Sequence, residues 1–355
     1  MKYIIPLLFL SISLSGQNSE VQVTFQKIPL PLILTKSSVT GIIDNRKSAD
    51  KSSKIIIRSD NEKRPLFLQK NYLTAIRSFF SKNPENADTD YNIILKINDF
   101  NIREIPESPA KIKGNLGVDI DFQIFRDSTY VPLCNFKTNF IYSRPSKDDT
   151  EHIDWLVKNA MLSATKFYNK WFGIQKYINP KFAKGVRVLV KPDYYFGNDT
   201  DTVFYHPDRK LTWNDFQAKP LSTSRYTAQI FSNFEYLAPV KYEHDSLVIE
   251  LTMKTYMLKD MSWKSIDAPG DYSLKHEQTH FDLTKLIVER FKAQVLKTEF
   301  SIEDYDSQFQ LLFIDLYREM NIMQKKYDQE TLHGLNEAEQ SKWEQKIAGE
   351  LGQKN

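Results

Sequence analysis

Apolar residues in the first half of the chain recur at every second position over three stretches. Tyr91, Ile93, Leu95 and Ile97 alternate with mostly polar residues, and Leu116, Val118, Ile120, Phe122 and Ile124 alternate more cleanly. A third stretch runs from Tyr130 to Tyr142. Side chains of a strand point alternately to its two faces, so this spacing predicts half-buried strands. Val39–Asp44 and Lys54–Arg58 predict two shorter strands around the polar loop Asn45–Ser53. Helical spacing appears from Leu68 to Ser81, and again from Glu151 to Phe172, where Ile153, Leu156, Val157, Ala160, Met161, Ala164 and Tyr168 recur at three and four. Gly173 suits a helical stop.

The second half repeats the order of strands before helices. Strands are predicted at Val203–Tyr205, Tyr226–Tyr236 and Leu247–Leu258. No Pro or Gly interrupts Tyr272 to Phe300, where Leu274, Phe281, Ile287, Val288, Phe291 and Val295 carry a helical period. Pro269-Gly270-Asp271 marks the turn before it. Two further helices are expected at Ser301–Lys326 and Asn336–Leu351. Strands followed by helices make an α+β chain. At 355 residues it divides into two domains, with the boundary between Gly173 and Tyr194. Residues 17–178 form an α+β, sandwich-like accessory or binding domain, and residues 179–355 a second α+β domain. The strand order of the first resembles the small α+β domains of bacterial envelope lipoproteins.

The N-terminus changes the picture of the compartment. Lys2 precedes the apolar run Tyr3–Leu10, then Ser13, Ser15 and Gly16, then polar residues. This is the layout of a secretory signal peptide over residues 1–16, and the run is too short to span a membrane comfortably. The expected location is secreted or periplasmic, with no transmembrane segment. No Cys lies near the cleavage region, so no lipid anchor is expected. Cys134 is the single cysteine, which excludes an intrachain disulfide and a Cys-based metal site; its apolar neighbours predict a buried thiol. The net charge of +3, with both signs interspersed, gives no reason to expect a nucleic-acid partner.

The chemistry concentrates in His276-Glu277-Gln278-Thr279-His280. Residues four apart share one face of a helix, so both imidazoles can reach one metal ion, at about 2.0–2.1 Å for zinc. Glu277 lies one position round, placed to take a proton from water rather than to ligate. A catalytic site of this kind uses three protein ligands. His333, before the flexible Gly334, is the leading third ligand; Glu299, Glu303 and Glu319, and His206 or His244, are alternatives. Glu289 and Asp282 fall on other faces of the helix. Tyr327 is a candidate oxyanion donor, and Asp282 a candidate partner orienting a metal-bound His. His152 reads as a surface residue.

Four separated blocks carry a resemblance: Leu211-Thr212-Trp213-Asn214-Asp215-Phe216; Ser262-Trp263; His276 to Asp282; and Tyr327-Asp328 with Thr331, His333-Gly334, Gln340 and Trp343. Over roughly residues 205–351 the chain resembles a bacterial family of unknown function described as predicted secreted zinc-dependent proteases. The resemblance implies a zincin-like metallopeptidase domain, one Zn2+ per chain on His276, His280 and His333, Glu277 as general base, and a protein or peptide substrate. That substrate would pair with the exposed edge of the Leu247 strand. Two other functions share these residues: a non-enzymatic envelope binding protein with a structural metal, and a zinc amidase acting on a non-protein amide. The sequence sets no oligomeric state.

Overall fold

The computed structural model describes residues 33–47, 89–147, 151–196, 200–220, 224, 226–266 and 270–352, with the strand segments 21–23, 53–57 and 62–68 and the helical positions Ile76 and Phe80. The expected signal peptide lies outside the described residues, as does most of the helix expected at 68–81. The chain is α+β and divides into two compact units between Lys176 and Tyr177.

The first unit is one sheet with a helix on it. Its strands are β1 (Val21–Val23), β2 (Ser37–Asp44), β3 (Ser53–Ile57), β4 (Glu62–Leu68), β5 (Tyr91–Ser108), β6 (Lys111–Arg126) and β7 (Thr129–Pro145), and helix α1 spans Glu151–Gln175. The sheet runs β1-β4-β3-β5-β6-β7, with β2 also pairing β5. Alternation in β6 sends Leu116, Val118, Ile120 and Phe122 inward, each 1% exposed or less. The buried stripe of α1 covers this face, with Tyr168 stacked on Phe122 at 4.9 Å between ring centroids. The helix continues past Gly173 to Gln175; a Cβ at that glycine would meet nothing, so nothing there demands a stop. Leu68 ends a strand rather than starting a helix. His152 is half-buried, with its ring against Tyr142 and Trp155. Burial pushes the Cys134 thiol up to about 12, helped by the nearby Asp121 carboxylate, so it is no thiolate nucleophile.

One ion pair locks the far end of this sheet. Arg144 and Glu104 meet in a bidentate pair with both N···O distances at 2.8 Å and both side chains fully buried. Glu104 also accepts from the Ile56 N–H at 2.8 Å and the Tyr142 hydroxyl at 2.7 Å, so β3, β5 and β7 converge on one carboxylate. The Tyr142 ring crosses Gly114 so closely that a Cβ there would sit 2.2 Å from its Cζ. Removing one partner of such a pair strands a buried charge. Glu104→Ala is therefore expected to destabilise the fold by about 3–5 kcal/mol, read from urea unfolding; a loss under about 1 kcal/mol would show the pair to be peripheral.

The second unit is built around one long strand. Its strands are β8 (Gly185–Val190), β9 (Thr202–Phe204), β10 (Ala228–Gln229), β11 (Ser232–Leu237), β12 (Val240–Glu243), β13 (Ser246–Leu258) and β14 (Trp263–Lys264). Helices α2 (Asp271–Lys297), α3 (Tyr305–Glu330) and α4 (Glu337–Glu350) follow. Strand β13 pairs β11 and β12 antiparallel, and takes β8 in parallel and β9 in antiparallel. The Leu247 strand is thus interior, and the exposed edge expected of it is not there. Phe234, Ile249, Leu251 and Met253 of the sheet pack on Ile287, Val288, Phe291 and Val295 of α2, with Phe309, Leu316 and Met320 of α3 completing the core. Leu283 and Leu286 pack instead with Tyr327, Trp343 and Ile347. Helix α2 is therefore apolar on several sides, as a helix enclosed by a sheet and two helices must be. No helix among the described residues is long and apolar enough to cross a membrane.

Candidate metal centre

Helix α2 delivers His276 and His280 to one face, buried at 6% and 9% exposure. Their Nε2 atoms lie 3.2 Å apart. The third corner is Asp328, near the C-terminal end of α3: its Oδ1 is 3.3 Å from His276 Nε2 and 3.0 Å from His280 Nε2. These three form the one metal-competent group found among the described residues.

The network behind the imidazoles fixes their protons. Gln324 donates its amide N–H to the His280 carbonyl at 2.9 Å and to Thr284 Oγ1 at 3.0 Å. Its amide oxygen is thereby left to accept from His280 Nδ1. Gln340, fully buried, donates to Glu344 at 3.0 Å, and its oxygen faces His276 Nδ1 at 3.3 Å. Both Nδ1 atoms are donors, so in the neutral rings both Nε2 lone pairs point at each other and at a carboxylate oxygen. Three acceptors within hydrogen-bond distance repel unless a proton or a metal cation lies between them, so the site draws in positive charge of one kind or the other. Ligands of a tetrahedral first-row metal at about 2.0–2.1 Å lie roughly 3.3 Å apart. The observed triangle has that size, and the residues fit the group.

Glu277 lies beside the triangle, 5% exposed, and its Oε2 accepts from the Ile230 backbone N–H at 2.9 Å. Burial raises its pKa, against the pull of the two histidines. Burial also works against ionised Asp328, but hydrogen bonds from His276 and His280 outweigh it and hold the carboxyl well below the usual range. The same contacts raise His280 against its own desolvation.

His333 and Tyr327 are placed differently from expectation. His333 is outside the three-atom group: its Nδ1 is 3.5 Å from Asp328 Oδ1, its Nε2 is 3.1 Å from the Tyr226 hydroxyl, and its side chain is 40% exposed. The third member of the group that could hold a metal is Asp328, with His333 beside it. Tyr327 is fully buried behind the histidines, stacked on His276 at 4.8 Å, with its hydroxyl 3.5 Å from the His276 carbonyl oxygen. Burial pushes that hydroxyl far up. It walls the imidazoles from behind. Asp282 holds Tyr205 at 2.9 Å and Gln278 at 2.8 Å rather than a ligand His. None of Glu299, Glu303, Glu319, His206 and His244 joins the group.

Asp328 and Gln340 stood in the sequence only as members of a resemblance block, without a role, and Gln324 and Tyr226 were given none. A helix expected to stop at Lys326 left Asp328 in a loop. The observed α3 continues to Glu330, which puts Gln324 and Asp328 one turn apart on the face that meets His280.

The site opens on a cleft of about 890 Å³. Tyr226–Asn233 forms one wall, Tyr317, Met320 and Asn321 of α3 another, and Leu332–Leu335 one end. Strand β11 has β13 on one side and no strand on the other among the described residues. The Phe231 carbonyl accepts from Leu258, whereas the Ile230 and Phe234 N–H groups go to Glu277 and to the Asn233 side chain. By the alternation of an antiparallel ladder, positions 230, 232 and 234 turn their backbone away from the sheet.

No family model and no curated protein matches this sequence. The crystal structure of a Xanthomonas campestris protein of family DUF330 is similar over 43% of this chain and 94% of that one, at 13% identity and a TM-score of 0.26. That likeness is too slight to bear on fold or function.

Asp328→Ala is expected to abolish tight binding of a divalent metal. Gln324→Leu is expected to keep the site but weaken it about 10–100-fold, since the partner orienting a ligand His is lost. Titration of the apoprotein against a competing chelator measures both; an Asp328→Ala affinity equal to wild type would refute the triangle.

Proposed function

We propose that the second unit is a zinc-dependent peptidase of zincin-like plan, cleaving polypeptide in extended form. The observation that carries this is the pairing of a three-donor triangle with a carboxylate, Glu277, on the same helix face and at the floor of an open cleft. Zinc bound there would supply a Lewis acid and lower the pKa of a water toward neutrality.

The chain's own residues do the rest. His276, His280 and Asp328 would hold the ion, with Gln340 and Gln324 setting the tautomers. The raised proton affinity of Glu277 suits a group that accepts a proton from water and passes it to a leaving amine. Its bond to Ile230 N–H keeps the carboxylate from swinging onto the histidines. The outward backbone positions of β11 lie on the cleft wall, where an extended peptide can add as a strand. This edge favours peptide over a non-polymeric amide. A structural metal would close with four protein side chains, and this group has three. The resemblance of residues 205–351 to predicted secreted zinc proteases supports the same reading, and with it an extracytoplasmic location.

Glu277→Gln should retain zinc and lower the rate of hydrolysis of an unstructured protein such as casein by about 10²–10⁴-fold. Full activity in that variant would end the general-base assignment.

A further inference from the structure

The geometry points to Tyr226 and His333 as a two-residue donor pair that receives the oxygen of the scissile carbonyl as negative charge builds on it. The inference rests on the hydrolytic reading above and gives His333 a role other than ligand.

Three observations converge. First, the two side chains come from separate segments, Tyr226 just before β10 and His333 from the turn after α3, and both line the cleft. Their rings face each other at 4.3 Å, with the hydroxyl 3.1 Å from Nε2. Second, the pair adjoins the metal corner without belonging to it, through the 3.5 Å approach of His333 Nδ1 to Asp328 Oδ1. Third, the backbone is forced to present His333. Leu332, His333 and Gly334 all have positive φ, at 51°, 54° and 85°. Left-handed conformations at Leu and His are unfavourable and cluster where surroundings over-determine them. Here the surroundings are visible: the His333 N–H is held by the Asp328 carbonyl at 2.8 Å, and Thr331 Oγ1 by the Tyr327 carbonyl at 2.8 Å. Gly334 passes so near His276 that a Cβ would lie 3.3 Å from its Cγ. The turn is pinned to the site, and its exposed imidazole is part of that pinning.

In the free protein each partner satisfies the other. A bound carbonyl would exchange the Tyr226–His333 contact for hydrogen bonds to its oxygen. Those bonds strengthen as charge develops, which lowers the barrier rather than tightening the ground state. No proton changes hands in this step.

The test uses the full mature chain, wild type beside Tyr226→Phe and His333→Ala, with three readouts: zinc per chain, kcat and KM on a quenched fluorescent peptide, and Kd for a phosphinic peptide against the matching N-methyl amide. Both variants are expected to keep wild-type zinc content. Loss of one donor should lower kcat about 10²–10³-fold with little change in KM. Phosphinic peptide binding should weaken in step with kcat, and amide binding should not. Loss of zinc from His333→Ala makes His333 a ligand and overturns the inference, as does unchanged kcat in either variant. A rise in KM alone would mark both as ground-state binding groups and overturn it too. A wild type that binds no zinc or cleaves nothing fails the underlying reading itself, and is seen before any variant is compared.

Discussion

Two imidazole nitrogens and a carboxylate oxygen held 3.0–3.3 Å apart in a buried site need a positive charge among them, a proton or a metal ion. Crowded acceptors in a low dielectric repel, and the glutamines behind them hold a proton on each Nδ1, so relief comes from a second ring proton or from a metal ion at Nε2. The arrangement persists because cores on either side fix the helices that carry it. Ile287, Val288 and Phe291 seat α2 on the sheet and against α3, while Leu283, Leu286, Tyr327 and Trp343 tie it to α3 and α4. A cation in the triangle would then stabilise the folded unit, since the unfolded chain offers no such group. Folding and metal affinity are two expressions of one constraint.

Two of the four sequence blocks line this site and the other two brace it from behind, each with a different job. Asp215 caps its own turn through the Thr212 N–H at 2.8 Å and is clamped by Arg209, so Leu211 can receive Gln278, the residue after Glu277, at 2.8 Å. Ser262 donates to Leu258 O at 2.7 Å and accepts from Phe231 N at 2.9 Å, while Trp263 pairs with Gln229. Together they hold the segment that crosses Glu277. Trp343 packs on Tyr327 and bonds Glu330 at 2.8 Å, fixing the last turn of α3, where Asp328 stands.

Legibility in the sequence followed the range of the interaction. Strands β5, β6 and β7 and the helix of His276 and His280 were readable because alternation and i,i+4 spacing are local properties. Strand β4, Glu-Lys-Arg-Pro in its first half, carries no such alternation and owes its place to pairing with β3. The interior position of β13 is likewise tertiary: nothing within Leu247–Leu258 says that β8 and β9 cover its second edge. The expected helix end, four residues short of the observed one, left Asp328 in a loop, and zinc's affinity for imidazole pointed to His333. That histidine does reach the site, but its turn aims it at Tyr226.

The bond from Ile230 N–H to Glu277 joins the parts that the proposed hydrolysis would need in register. Ile230 stands between β10 and β11, at the start of the edge that turns its backbone away from the sheet. On the proposed reading, a peptide pairing along that edge would be positioned by the same backbone that holds the Glu277 carboxylate. Glu277 itself is carried by α2, so this one hydrogen bond ties the helix carboxylate to the strand edge. Near-attack geometry tolerates errors well under 1 Å, so a direct tie between the two elements would matter more than rigidity throughout. The metal corner is seated by α2 and α3. The register between that strand and α2 is held again by the Ser232–Thr284 hydroxyl contact at 2.8 Å, one helical turn past His280.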